Sequence, residues 1–263
     1  MDLGERIAMA RKHENLTQSA LAEMIGVSAE AVSKWECGEY RPMPDKMDLL
    51  EKVLHLSYYD DEGGLKNGRF FDEEHMSAFL KGKFSSGDFP EAQKALAYAK
   101  EKHQTSKPRT GPGNVPYIAH PLMMTCHALA MGLSDDVLFA ALLLHDVGEE
   151  CGIPPSQMPF CEEVQRIVAL VTKPEKGYDA KKYFDGIATS PKACMVKCID
   201  RCNNLSTMAM GFSPGKMEKY IKETEAWYPR LLRIIKGQPE YNNAAWLLQY
   251  QIKSLLETAK KIK

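Results

Sequence analysis

The run Leu142-Leu143-Leu144-His145-Asp146-Val147-Gly148-Glu149-Glu150 finishes an apolar stretch with one imidazole and three carboxylates. A core helix has no packing reason to end that way, because buried charge is costly unless it is paired or holds a metal. A second imidazole, His120, stands upstream beside Pro121, and downstream Lys197, Asp200, Asn204 and Thr207 recur at i, i+3, i+7 and i+10. That spacing draws one polar face along an otherwise apolar helix. Two neutral imidazoles and two carboxylates make a mixed nitrogen and oxygen donor set, better suited to a catalytic divalent ion than to a closed structural zinc site. Such an ion lowers the pKa of a bound water and holds phosphoryl oxygens. His120, His145, Asp146 and Asp200 are therefore the candidate metal ligands, and Glu149 follows His145 by one turn on the same face if the helix continues.

Three distant segments must converge for this to work. Pro108, Gly111, Pro112, Gly113 and Pro116 mark a loop, and Pro121 suits the first turn of the helix after it, which places His120 at a helix entrance. Ser134-Asp135-Asp136 supplies a cap and early acids for a helix over 135–147 that would deliver His145 and Asp146 at its end. Further helical periodicity covers about 74–83, 88–104, 121–131, 161–172, 179–188, 191–209, 215–236 and 240–261. No alternating strand pattern of useful length occurs, so this part is expected to be all-α.

Pro116-Tyr117-Ile118-x-His120-Pro121, Ala140-Ala141-Leu142-Leu143-Leu144-His145-Asp146-Val147-x-Glu149-Glu150 and Lys197-x-x-Asp200-Arg201-x-x-Asn204 resemble the HD hydrolase domain of RelA/SpoT proteins and small alarmone hydrolases. The likeness runs from about residue 86 to 236 and includes Tyr220-x-x-Glu223-Thr224-x-x-x-Tyr228-x-x-Leu231. It implies removal of the 3′-pyrophosphate from (p)ppGpp with Mn²⁺. It also implies that Glu149 and Glu150 position and activate the attacking water, and that Arg109, Lys197, Asn204 and Thr207 contact the nucleotide. Four positions depart from the pattern: Glu150 replaces Asp, Asn203 stands where His is usual, Ser206 where Arg is frequent, and Thr110 where a second base often follows Arg109. With fewer cations, another nucleotide or a nicotinamide dinucleotide phosphate stays open as substrate. The chain stops too soon after Asp200 for the synthetase domain of long members, so degradation rather than synthesis is expected.

The first 58 residues read as short helices: 3–13, one capped by Thr17 and stopped at Gly26, one from 29 to 36 capped by Ser28, and one from Asp45 to about Leu56. Leu16-Thr17-Gln18, Ala20-Leu21-Ala22, Ile25-Gly26-Val27-Ser28, Val32-Ser33-Lys34-Trp35-Glu36 and Gly38 resemble the XRE-type repressor DNA-binding domain. The resemblance implies that the third helix enters the major groove, with Ser28, Ala29, Glu30, Ser33 and Lys34 at the DNA and Gln18 on phosphate. Residues 1–59 hold seven basic and ten acidic side chains, a net −3, so few cations are available for phosphate. A helix-turn-helix kept as a protein-interaction or dimerisation module is the alternative.

The fold class expected is all-α: a four- or five-helix helix-turn-helix domain over 1–58, a linker over 59–74, and an HD-superfamily helical domain over 75–263. A net charge of −1 points to no partner by bulk electrostatics. The charged start lacks an apolar signal region and no stretch is long enough to span a membrane, so a cytoplasmic location is expected. The seven cysteines contain no Cys-x-x-Cys pair and read as thiols, with Cys194, Cys198 and Cys202 forming a core stripe. His127 reads as a packing or capping residue. Two functions remain: a metal-dependent nucleotide pyrophosphohydrolase tethered to a DNA-binding module, or a regulator whose hydrolase-like domain senses the nucleotide without turning it over. A homodimer is compatible with either.

Overall fold

The structure, a computed structural model, describes residues 3–54, 72–106, 115–174 and 176–262. The chain divides into two compact units, Met1–Asp72 and Glu73–Lys263, and every element among the described residues is helical.

The first unit contains α1 (Leu3–His13), α2 (Gln18–Ile25), α3 (Ala29–Glu36) and α4 (Pro44–Leu54). Local chemistry sets their ends. Thr17 Oγ1 accepts from the Ala20 amide at 3.0 Å, and Ser28 Oγ accepts from the Ala31 amide at 3.2 Å. Each cap satisfies one of the amides that a helix start leaves without a partner. Between them Gly26 adopts φ +67°, the left-handed turn that lets α3 leave α2 at once. Gly4 is fixed by packing instead: a Cβ there would meet the Trp35 carbonyl oxygen at 2.3 Å. Ile7, Ala10, Leu21, Ile25, Val32, Trp35, Leu50 and Leu54 fill the core.

The second unit contains α5 (Glu73–Gly87), α6 (Pro90–Lys102), α7 (Ala119–Ala130), α8 (Asp136–Leu144), α9 (Val147–Cys151), α10 (Glu162–Val171), α11 (Ala180–Ile187), α12 (Pro191–Gly211), α13 (Pro214–Lys236) and α14 (Asn242–Ile262). The periodicity located these helices except α9. The described part of the segment read as linker differs, since Glu73 and Glu74 already form the acidic first turn of α5; residues 55–71 lie outside the described residues.

α8 is the hub. Leu138 through Leu144 are all buried, and α6, α7, α10 and α12 pack around them. Its entrance is tied down twice. Asp135 caps α8 by accepting from the Leu138 amide at 2.9 Å, and the Asp136 carboxylate accepts from the Glu91 and Ala92 amides at 3.0 and 2.7 Å, capping α6.

The helix expected over 135–147 is in fact two. α8 stops at Leu144, His145 and Asp146 form a turn, and α9 starts at Val147. The cause is local: His145 Nδ1 donates to the Leu142 carbonyl at 2.8 Å, the acceptor that a continuing helix would offer to the Asp146 amide. Glu149 is therefore not one turn further along the helix that carries His145.

Candidate active site

Three elements deliver the four candidate ligands. His120 is the second residue of α7, His145 and Asp146 occupy the turn after α8, and Asp200 lies on α12. One donor atom each from His120, His145 and Asp200 falls within 4.8 Å of the others. Asp146 Oδ2 adds a carboxylate oxygen 3.2 Å from His145 Nε2 and 3.7 Å from His120 Nε2, and His120 Nε2 stands 3.3 Å from Asp200 Oδ1. Both imidazoles are almost fully buried.

The donor chemistry fits a divalent cation. His120 Nδ1 lies 2.6 Å from the Asn203 side-chain oxygen, and His145 Nδ1 lies 2.8 Å from the Leu142 carbonyl. Each ring proton is thereby committed on the far side, and both Nε2 atoms face the carboxylates. His145 Nε2 is buried without a hydrogen-bond partner, which is what a ligating nitrogen requires.

Electrostatics favours the ionised acids. Burial alone would raise the Asp200 carboxyl, but the Lys197 ammonium at 3.0 Å and the two imidazoles hold it well below the usual carboxylate range. Burial likewise opposes ionisation of Asp146, and His145 and His120 overcome it and hold that carboxyl low. Glu149 behaves differently. The side chain is exposed over much of its surface, but desolvation around its carboxyl, reinforced by Asp146, pushes that group upward although the Lys173 amide donates to it at 2.6 Å. A carboxyl raised beside a metal set is a candidate proton acceptor.

The remaining site expectations divide. Lys197 and Asn204 come together, but on Asp200: Lys197 Nζ binds Oδ2 and Asn204 Nδ2 donates to Oδ1. Thr207 turns back on its own helix and donates to the Asn203 carbonyl at 3.2 Å. Glu150, like Glu149, is exposed, and Arg109 lies outside the described residues.

The roles of four groups escaped the sequence reading. The Tyr117 hydroxyl donates to Asp146 Oδ2 at 2.6 Å, and the His103 ring stacks on Tyr117 with centroids 4.9 Å apart. Burial pushes the His103 imidazole down to about 4, against the pull of Asp146. Asn203 holds His120; its i+3 spacing from Asp200 was an available signal. Finally, the Arg201 guanidinium sits 4.1 and 4.6 Å from the Tyr220 and Tyr228 ring centroids, pairs with Glu223 and donates to Thr224 Oγ1. The Tyr220, Glu223, Thr224 and Tyr228 pattern is thus the cage of Arg201, the neighbour of Asp200.

In the first unit, Ser28, Ala29, Glu30, Ser33 and Lys34 gather on α3 and its cap. Glu30 and Lys34 pair with each other at 2.8 Å, and the Lys34 ammonium lies 5.8 Å from the Tyr40 ring centroid. Gln18 heads α2, where its side-chain amide donates to Glu36 Oε2 at 2.7 Å. The same Glu36 takes Arg11 Nε on its other oxygen. Gln18 as placed is therefore engaged inside the unit.

Residues 7–60 match the family model described as helix-turn-helix. The first unit is a helix-turn-helix domain. Over 55 residues, 21% of this chain and 26% of the relative, the chain is 42% identical to Repressor protein C2 of Salmonella phage P22. Elsewhere it is 33% identical over 150 residues to guanosine-3′,5′-bis(diphosphate) 3′-pyrophosphohydrolase of Aquifex aeolicus, covering 54% of this chain and 21% of the relative. The matched part thus spans about a fifth of that protein's length. A solved structure described as a metazoan ortholog of SpoT that hydrolyzes ppGpp superposes with a TM-score of 0.51 at 19% identity, over 64% of this chain and 94% of that one. Beside its helix-turn-helix domain, the chain therefore carries the helical fold of that SpoT-like protein.

Proposed function

We propose that the second unit is a metal-dependent (p)ppGpp 3′-pyrophosphohydrolase, releasing pyrophosphate and leaving GDP or GTP. The observation that carries this reading is the convergence of His120, His145, Asp146 and Asp200 from three separate elements. The Aquifex aeolicus relative and the SpoT-like fold support the choice of substrate.

His120, His145, Asp146 and Asp200 would hold the ion, for which Mn²⁺ is the proposal. When bound, a divalent cation supplies Lewis-acid stabilisation of phosphoryl oxygens and a more acidic water. The chain's own groups supply the rest. Glu149, its carboxyl raised by burial, accepts the proton of the attacking water, and Glu150 stands beside it at the exposed end of α9. Tyr117 fixes the Asp146 carboxylate through its hydroxyl. Lys197 keeps Asp200 ionised and, with Asn204, Thr207 and Arg109, is proposed to meet the nucleotide.

The deciding experiment measures pyrophosphate release from ppGpp with added Mn²⁺, in the intact protein and in Asp146→Ala. Release by the first and not the second supports the enzyme. Nucleotide binding with equal turnover in both would make the unit a sensor. The raised Glu149 carboxyl near the ligand set favours the enzyme, since a sensor has no use for a proton acceptor there.

We infer further that the helix-turn-helix domain binds double-stranded DNA in the cytoplasm and pairs to read two half-sites. The placement of Glu30, Ser33 and Lys34 on α3 supports this. A gel shift on the protein's own promoter region that shows no retardation at low salt would leave the domain as a protein-interaction module.

A further inference from the structure

His120 is 1% exposed, so water cannot complete the hydrogen bonding of its ring and each nitrogen must find a partner inside the protein or on a bound ion. Nδ1 meets the Asn203 side-chain oxygen at 2.6 Å. An amide oxygen only accepts, so the ring proton resides on Nδ1. In the neutral ring Nε2 then presents a lone pair toward Asp200 Oδ1 at 3.3 Å and Asp146 Oδ2 at 3.7 Å. Two carboxylates facing that nitrogen call for a positive charge between them, supplied by a proton on Nε2 or by a cation bound to it.

The other imidazole has the same arrangement with a different partner. His145 Nδ1 is held by the Leu142 carbonyl, a backbone group that any side chain at that position would provide. For His120 the equivalent hold comes from a single replaceable side chain, on the same helix as the ligand Asp200 and three residues after it.

We propose that Asn203 is a positioning residue of the metal centre: its side-chain oxygen holds the His120 ring in the Nδ1–H tautomer and so aims Nε2 at the cation. Partners of this kind orient a ligating imidazole, and losing one typically weakens metal binding 10- to 100-fold. Sequence reasoning treats Asn203 as a lost cationic contact; the geometry gives it a different role. The inference rests on the metal centre and not on the identity of the nucleotide.

The test uses the full chain with ¹⁵N-labelled histidines, freed of metal by chelation, at a pH where the rings are neutral. The ring ¹⁵N shifts of His120 report its tautomer, and calorimetric titration with Mn²⁺ reports affinity. The wild type and Asn203→Asp, which keeps an acceptor oxygen, are expected to show Nδ1–H and to bind Mn²⁺ within a few-fold of each other. Asn203→Leu is expected to shift toward Nε2–H and to bind roughly 10- to 100-fold more weakly. A wild-type ring in the Nε2–H form would overturn the proposal whether or not Asn203→Leu folds. So would a folded Asn203→Leu with unchanged affinity, or an Asn203→Asp as weak as Asn203→Leu. A wild type that binds Mn²⁺ and releases no pyrophosphate would instead sink the proposed activity and leave this result standing.

Discussion

The Lys197 ammonium stands 3.0 Å from Asp200 Oδ2, both side chains buried and three residues apart on α12. The i, i+3 spacing puts the two side chains on one face of the helix, within reach of each other. Its consequence is that one buried carboxylate remains ionised and available to a cation.

Replacing Lys197 tests that consequence directly. Lys197→Met keeps the apolar stem and removes the charge, leaving Asp200 buried without its ammonium. Breaking such a pair costs about 3–5 kcal/mol. Urea unfolding of the metal-free protein at pH 7 should show a loss of that order; a change below about 0.5 kcal/mol would mean that the pair contributes nothing.

Glu149→Gln keeps the shape and the bond from the Lys173 amide while removing the proton acceptor. Turnover should fall about 10²- to 10⁴-fold with Mn²⁺ affinity unchanged. The wild-type carboxyl is raised, so the acid limb of the kcat/KM profile should lie above that of an ordinary glutamate and vanish in the variant. An unchanged profile would remove Glu149 from the chemistry.

Arg201→Lys keeps a positive charge at α12 but cannot fork to Glu223 and Thr224 or lie flat between Tyr220 and Tyr228. We expect about 3 kcal/mol of destabilisation, read by chemical denaturation, because the guanidinium site is buried and shaped for a planar group. A variant as stable as the wild type would show the cage to be dispensable.

In the helix-turn-helix domain, Glu36 joins Arg11 and Gln18. Burial raises its carboxyl, but the bonds from Arg11 and Gln18 win and hold it below its ordinary value. A depressed carboxyl stabilises above its unfolded pKa and loses that contribution as pH falls through the folded value. Glu36→Gln should therefore cost about 2 kcal/mol at pH 7, and the gap to wild type should close below about pH 4. Trp35 fluorescence in a Trp227→Phe, Trp246→Phe background reads this domain; a gap independent of pH would refute the assignment.

Much of the molecule was legible in the linear pattern. Thr17, Gly26 and Ser28 mark helix boundaries by backbone chemistry that acts within a few residues, and the apolar run Leu138 to Leu144 announces a helix buried on all sides. The candidate donors His120, His145, Asp146 and Asp200 were equally visible, because buried polar side chains break an apolar pattern. The turn after Leu144 was not, since the ring of His145 overrides a helical periodicity that continues through it.

The sequence by itself determined two helical units, the capped helix-turn-helix geometry, and a set of donors with the chemistry of a divalent ion. Only the tertiary structure decided what each donor faces. Asn203 against His120, Tyr117 against Asp146, and the aromatic cage around Arg201 join residues up to 83 positions apart. Periodicity reports which face of a helix is buried but not which side chain of another helix lies opposite. That depends on how α7, α8, α12 and α13 cross, and crossing is settled by packing in three dimensions.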